Sequence, residues 1–166
     1  ISGDGDLLSI GGNHTMHALR RNIDINIVLL NNKIYGLTKG QYSPTSEVGK
    51  VTKSTPFGSL DEPINPITIA LASGGTFVAR SIDVDVKGLT ALISRGAKHK
   101  GTSFIEVYQD CNVFNHQTWF YATQKDTRPE NTILLEHGKP LIFGEDSDKG
   151  IRRNGDNVEV VTLSDT

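Results

Sequence analysis

Residues 26–30, Asn-Ile-Val-Leu-Leu, form an apolar run with β-branched members, short enough to be a strand buried on both faces, as a parallel sheet requires. Phe77–Ile82 and Ser103–Tyr108 read the same way. Ile1 and Ser2 read as the end of a further strand, which feeds the turn Gly3-Asp4-Gly5. Between the strands the apolar spacing becomes helical. Gly11-Gly12 lead to Asn13, which is predicted to cap a helix through His17, Leu19 and Arg21. Asn65 and Pro66 supply a cap and a first-turn proline for a short helix through Ile67, Ala70 and Leu71, closed by Gly74-Gly75. Asp85 caps a third helix, whose Leu89, Leu92, Ile93 and Ala97 share one face. Strands alternating with amphipathic helices predict an α/β fold, a doubly wound parallel sheet whose ligands sit beyond the carboxyl ends of its strands. Beyond Pro129 the pattern changes. Segments 132–136, 140–143 and 158–163 read as short strands of an appended β-rich tail, and the Gly and Asp content of 144–157 reads as turns. The predicted organisation is a main domain over 1–128 and an extension over 129–166.

Composition narrows the function classes. Seventeen Lys and Arg stand against nineteen Asp and Glu, a net charge of -2, so no large basic field invites nucleic acid or an anionic membrane surface. No apolar run approaches the roughly 18 residues of a membrane span. One cysteine, Cys111, rules out an internal disulfide and fits a reducing cytoplasm. Ile1 opens in mid-strand without Met, and the expectation is a longer subunit upstream.

Asp4, Asn32 and Cys111 all fall just after strand ends. A carboxylate after one strand, and a carboxamide with a nearby backbone carbonyl after its neighbour, offer hard oxygen ligands to one point. That suits Mg²⁺, which takes the rest of its near-octahedral shell from phosphates. The glycines beside Asp4 would let a diphosphate approach, and the helix starting near Asn13 would point free N–H groups the same way. Gly-Asp-Gly alone is a common surface turn. Followed by Asn31-Asn32, with Asp4 and Asn32 28 positions apart, it resembles the diphosphate-binding domain of thiamine diphosphate enzymes.

The resemblance extends over GDGDLLSIGGNHTMHALRRNIDINIVLLNNKIYGLTKGQYSPTS, on through Cys111, and into EHGKPLIFG and DKGIR. Over nearly the whole chain the sequence resembles the β subunit of the 2-oxoacid:ferredoxin oxidoreductases, most of all the 2-oxoglutarate type, since pyruvate-type members tend to carry Asn-Thr-Gly where this chain has residues 35–41. The resemblance implies oxidative decarboxylation of a 2-oxoacid to acyl-CoA and CO₂, with electrons passed to ferredoxin. It implies thiamine diphosphate and Mg²⁺ as cofactors, with Asp4, Asn32 and the Ile34 carbonyl on the metal. Gly3, Gly5, Asp6, Asn13, Gly36, Leu37 and Thr38 would lie along the cofactor, and Lys39 would contact the substrate or cofactor. Cys111 is implied as the fourth ligand of a [4Fe-4S] cluster whose other three cysteines lie outside this chain. The implied assembly is an αβ heterodimer or its dimer. The activating carboxylate is expected from the α subunit, so that this chain is inactive alone.

Two alternatives of function stay open at this level: a pyruvate or broad 2-oxoacid specificity, and a non-catalytic diphosphate-binding or assembly fragment. His14 and His17, three apart on the first helix, lack further matching ligands, and packing is the expected role. Trp119, Phe120 and Tyr121 are expected in the core or an interface.

Overall fold

The computed structural model describes residues 1–163. Its elements are β1 (Ser2–Gly3), α1 (Gly12–Arg21), β2 (Asn26–Asn31), α2 (Pro66–Ala72), β3 (Phe77–Ile82), α3 (Val86–Lys98), β4 (Ser103–Tyr108), α4 (Phe120–Thr123), α5 (Arg128–Asn131), β5 (Ile142–Phe143), β6 (Lys149–Asn154) and β7 (Asn157–Thr162). Chain packing separates two compact units, Ile1–Trp119 and Phe120–Thr166. From the sequence the boundary was expected at 128/129.

In the first unit β1, β2, β4 and β3 lie side by side in that order, all parallel. The register sets Glu106 between Leu29 and Arg80, and Asn31 beside Tyr108. Strand side chains alternate between faces, so Leu29, Asn31, Phe104, Glu106, Val78 and Arg80 share one face. Its lower half is the apolar core, in which Leu8, Leu19, Leu29, Ala70 and Phe104 are buried with Ile64, Ile67 and Val78 against them. Its upper half, toward the carboxyl ends, is polar. The opposite face carries α3, whose Gly96 sits so close to the sheet that an added Cβ would lie 3.0 Å from Ser103 Oγ.

The caps of the two later helices follow the sequence. Asn65 Oδ1 accepts from the N–H groups of Ile67 (3.1 Å) and Thr68 (3.2 Å), and Asp85 Oδ1 accepts from Gly88 N–H at 3.0 Å. The start of α1 departs from expectation. Asn13 is an exposed residue of the first turn, and the N-cap is Gly11, with no side-chain cap bond. Gly3-Asp4-Gly5 is not a free-standing turn either. Asp4 and Gly5 are already helical, and Asp6–Ile10 continues as a π-helical stretch. Inserting this wider turn before α1 leaves Thr15 to close the junction, its hydroxyl lying 3.1 Å from Leu7 O and 3.0 Å from Gly11 O.

The second unit holds an antiparallel sheet in the order β5-β6-β7. Of the predicted tail strands, 158–163 corresponds to β7 and 140–143 shrinks to Ile142–Phe143. Residues 132–136 form no strand, and β6 occupies a segment expected to be turns. The Lys149–Asn154 strand is polar because its pairing to β7 is reinforced at the surface by Arg152 and Glu159, and a solvated hairpin gives no apolar alternation to read. Among the described residues no helix is long and apolar enough to cross a membrane.

Candidate functional site

The carboxyl ends of β1 and β2 bring Asp4 and the Asn31-Asn32 pair together. Asp4 is wholly buried. Its Oδ2 accepts from the Thr45 hydroxyl at 2.6 Å, and its Oδ1 lies 3.5 Å from the Asn32 backbone N–H. Burial pushes the Asp4 carboxyl above its ordinary value, opposed by hydrogen bonds from Ser43, Thr45 and Asn32.

Asn32 completes an unusual arrangement. Gln109 Nε2 donates to the Asp110 carbonyl, which turns Gln109 Oε1 to accept from Asn32 Nδ2 at 3.0 Å. Asn32 Oδ1 is thereby turned inward, 3.1 Å from Asp4 Oδ1 and 2.9 Å from Ile34 O. Asn32 Oδ1 thus lies about 3 Å from two further acceptor oxygens, while it also accepts from the Ile34 N–H at 3.3 Å. Reversing the Asn32 amide would let it donate to both oxygens, but would set its own oxygen against Gln109 Oε1. A hard cation bound by these oxygens would remove the repulsion between them. Metal–oxygen bonds of about 2.1 Å at right angles set neighbouring ligand oxygens about 3.0 Å apart, so the donor set fits Mg²⁺ in both chemistry and spacing.

The oxygens are held by a buried polar framework. Asn31 Nδ2 donates to Glu106 Oε1 at 2.7 Å, and Arg80 Nε donates to Glu106 Oε2 at 2.7 Å. Glu106 is wholly buried, and Arg80 lies over the Tyr108 ring, 4.9 Å from its centroid. Tyr108 stacks on Trp119 with ring centroids 3.6 Å apart, and Trp119 Nε1 donates to Asn31 O at 2.7 Å. Asn115 Nδ2 donates to Asn32 O at 2.8 Å. An open pocket of roughly 280 Å³ borders this framework, lined by Asn31, Lys33, Glu47, Arg80, Tyr108 and Trp119 among others.

Other sequence candidates fall at different distances from this centre. Gly3 has open space where a side chain would be, as close approach of a ligand needs. Gly5 does not: the space its Cβ would take holds the Tyr35 ring, so its small size serves Tyr35 packing. The Tyr35 hydroxyl donates to Asp6, which raises the phenol above its ordinary value through that bond first, then through burial and charge. Gly36, Leu37, Thr38 and Lys39 form a turn closed by Lys39 N–H to Gly36 O at 3.0 Å, with Leu37, Thr38 and Lys39 exposed. Lys39 holds a left-handed φ of 72° at its end. An added Gly36 Cβ would lie 3.9 Å from Cys111 Sγ, so the cysteine borders the same turn. His17 Nδ1 is buried without a partner, and among the described residues no cluster of three His, Cys, Asp or Glu side chains is poised to hold a metal. Trp119 is buried as expected, whereas Phe120 is half exposed. Thr45, Asn31, Glu106, Arg80 and Gln109 escaped the sequence reading. The signals were there: a lone acid inside the apolar strand Ser103–Tyr108, and hydroxyl residues packed around Pro44.

Comparison with known proteins gives the same direction. The family described as thiamine pyrophosphate enzyme, C-terminal TPP binding domain matches residues 1–107. The chain is 52% identical over 165 residues to the 2-oxoglutarate oxidoreductase subunit KorB of Mycobacterium tuberculosis, covering 99% of this chain and 44% of that protein. It is 50% identical to a 2-oxoacid:ferredoxin oxidoreductase subunit beta of Sulfolobus sp., covering 95% of this chain and 54% of the relative. Among solved structures, a 2-oxoglutarate:ferredoxin oxidoreductase from Magnetococcus marinus, with 2-oxoglutarate, coenzyme A and succinyl-CoA bound, matches with a TM-score of 0.73 and 34% identity, covering 84% of this chain and 46% of that one. The chain thus spans about half the length of the relatives it matches. With the fold, the Asp4–Asn32 geometry and this match agreeing, the chain belongs to the thiamine pyrophosphate enzymes, through their C-terminal TPP-binding domain.

Proposed function

We propose that this chain is the diphosphate-binding part of the β subunit of a cytoplasmic 2-oxoglutarate:ferredoxin oxidoreductase, which converts the 2-oxoacid and coenzyme A to acyl-CoA and CO₂ and passes two electrons to ferredoxin. The observation that carries it is the close approach of the Asn32 side-chain amide to Asp4 Oδ1 at 3.1 Å and Ile34 O at 2.9 Å, at the carboxyl ends of neighbouring strands. These oxygens would hold Mg²⁺ and, through it, the diphosphate. When bound, thiamine diphosphate supplies the nucleophilic carbon and the electron sink for decarboxylation. The chain's own work is to bind and orient. Asp4 would neutralise one charge of the cation, Asn32 and Ile34 would add neutral oxygens, and Gly3 leaves the approach bare.

Lys39, exposed at the end of its turn, would offer an ammonium to the anionic end of the substrate or cofactor. Cys111 would be the fourth thiolate of a [4Fe-4S] cluster, with three cysteines supplied from outside this chain, because one thiolate does not hold a cubane. The relatives named as subunits support an α partner, in a heterodimer or its dimer, that brings the activating carboxylate.

Calorimetry with Mg²⁺ and thiamine diphosphate tests the reading. Heat that requires both ligands, and is lost in Asp4→Ala, is the expected result. Absence of Mg²⁺-dependent heat in the unaltered protein would refute it. In the assembled oxidoreductase, faster turnover of 2-oxoglutarate than of pyruvate is expected, and the reverse would reassign the substrate.

A further inference from the structure

Thr45 has one hydroxyl proton and three oxygens within reach, Asp4 Oδ2 at 2.6 Å, Asn31 Oδ1 at 3.0 Å and Ser43 Oγ at 3.3 Å. The surroundings decide where the proton goes. Asn31 cannot reverse its amide, because Nδ2 is tied to the buried Glu106 carboxylate at 2.7 Å and Glu106 is matched in turn by Arg80 at 2.7 Å. Asn31 Oδ1 already accepts from Lys33 N–H at 3.2 Å. The carboxylate is both the nearer and the stronger acceptor, so the proton lies on the Asp4 side. Thr45 itself is fixed within the buried Ser43-Pro44-Thr45-Ser46 loop. Ser43 Oγ lies 3.3 Å from its hydroxyl, and Ser46 Oγ donates to Lys33 O at 2.8 Å, which ties the loop to the end of β2.

The consequence falls on the other carboxylate oxygen. A free carboxylate can present either oxygen, or both, by rotating about its last bond. With Oδ2 capped, only Oδ1 faces Asn32 Oδ1 and Ile34 O. We propose that Thr45 is the positioning residue of the cation site: its hydroxyl caps one oxygen of Asp4 and so commits the other to the point shared with Asn32 and Ile34. This rests on the cation reading above. It adds a residue that touches neither cation nor cofactor and acts through Asp4, an outer-shell role of the kind whose loss typically costs about 10- to 100-fold in metal affinity.

The test uses the assembled oxidoreductase carrying this chain, stripped of divalent ions by chelation, and follows Mn²⁺ binding in the presence of thiamine diphosphate by the loss of the free-ion paramagnetic resonance signal. Thr45→Val keeps the shape and removes the hydroxyl, Thr45→Ser keeps the hydroxyl, and Asp4→Asn removes the anionic ligand. Binding roughly 10- to 100-fold weaker in Thr45→Val, with near-native affinity in Thr45→Ser, is the expected result. The cation-free melting temperatures of the two should agree within a few degrees. If Thr45→Val does not assemble, Thr45→Ala takes its place against Thr45→Ser. Native affinity in the variant lacking the hydroxyl, while Asp4→Asn has lost the site, overturns the positioning role and leaves the cation site standing. Equal loss in Thr45→Ser also overturns it, because the methyl group rather than the hydroxyl would then matter. Unchanged binding in Asp4→Asn overturns the cation reading itself.

Discussion

Arg80→Met removes the guanidinium that faces a wholly buried acid, Glu106, and keeps most of the aliphatic stem. Glu106 is wholly buried, and its two oxygens have one charged partner, Arg80 at 2.7 Å, and one neutral partner, Asn31 at 2.7 Å. The substitution leaves a buried anion with the amide alone. Stripping one partner from a buried ion pair costs about 3–5 kcal/mol, and the lost contact of Arg80 with the Tyr108 face adds about 0.5–1 kcal/mol. The open pocket beside Arg80 lets water reach the exposed carboxylate, which places the net cost near the bottom of that range, about 3 kcal/mol. For a chain of this size that is a fall of roughly 6–12 °C in melting temperature. Differential scanning calorimetry of the single variant and of Arg80→Met/Glu106→Gln closes the cycle. The double variant carries no buried charge and keeps an acceptor for Asn31, so it should recover at least about 2 kcal/mol of the loss. A single variant that melts within about 2 °C of the parent, or a double variant no more stable than the single, would refute the idea that the pair is a mutually dependent unit.

Two further outcomes follow from local geometry. Gly5→Ala sets a methyl group 2.4 Å from the Tyr35 ring and should cost about 1–3 kcal/mol by overpacking, despite the helical φ of -59° that suits alanine; adding Tyr35→Ala should return most of it, read by urea denaturation. Glu159 is held below the ordinary carboxylate value by Arg152 and then Asn154, so the folded hairpin takes up that proton less readily than the unfolded chain. Its contribution is present above the ordinary value and lost as the pH falls through the lowered one, and in Arg152→Ala the Glu159 carboxyl should titrate closer to the ordinary value, as measured by carbon-detected magnetic resonance.

The sheet and two of its helices were legible because their signals are local. Strands β3 and β4 are mostly apolar runs, broken by Arg80-Ser81 and by Glu106, and Asn65 and Asp85 are caps whose bonds reach only two or three residues ahead. The meeting of Asp4 and Asn32 was legible for a different reason: each follows a strand end, and parallel order brings such ends together, while the cation role proposed for them came from the family resemblance. What escaped was tertiary. The π-helical stretch depends on how Leu8 meets the core, and Asn13 lost its capping place to that insertion. Strand β6 is a solvated hairpin arm whose polar residues satisfy the pairing as well as a turn would. Thr45 lies 41 positions from Asp4, and Arg80 lies 26 from Glu106. No periodicity links residues at such separations, and only the fold brings them into contact.

The position of Glu106 shows why the framework persists although an apolar residue would be cheaper to bury. Leu29 and Phe104 occupy the same sheet face as simple core residues, and a leucine at 106 would extend that core without desolvating any charge. It would also free the Asn31 amide to reverse, and a reversed Asn31 would no longer accept from the Lys33 N–H that follows β2. The buried acid fixes Asn31 in one orientation. A carboxylate accepts and never donates when ionised, so each partner from Arg80 to Asn31 has its orientation imposed in turn. The same reasoning applies on the other flank, where Gln109 is set by the Asp110 carbonyl and sets Asn32. Asp4 and Asn32, the two side chains of the candidate cation site, are therefore contacted from opposite sides by chains of polar groups, one running from Arg80 through Glu106, Asn31 and Thr45 and the other from Gln109.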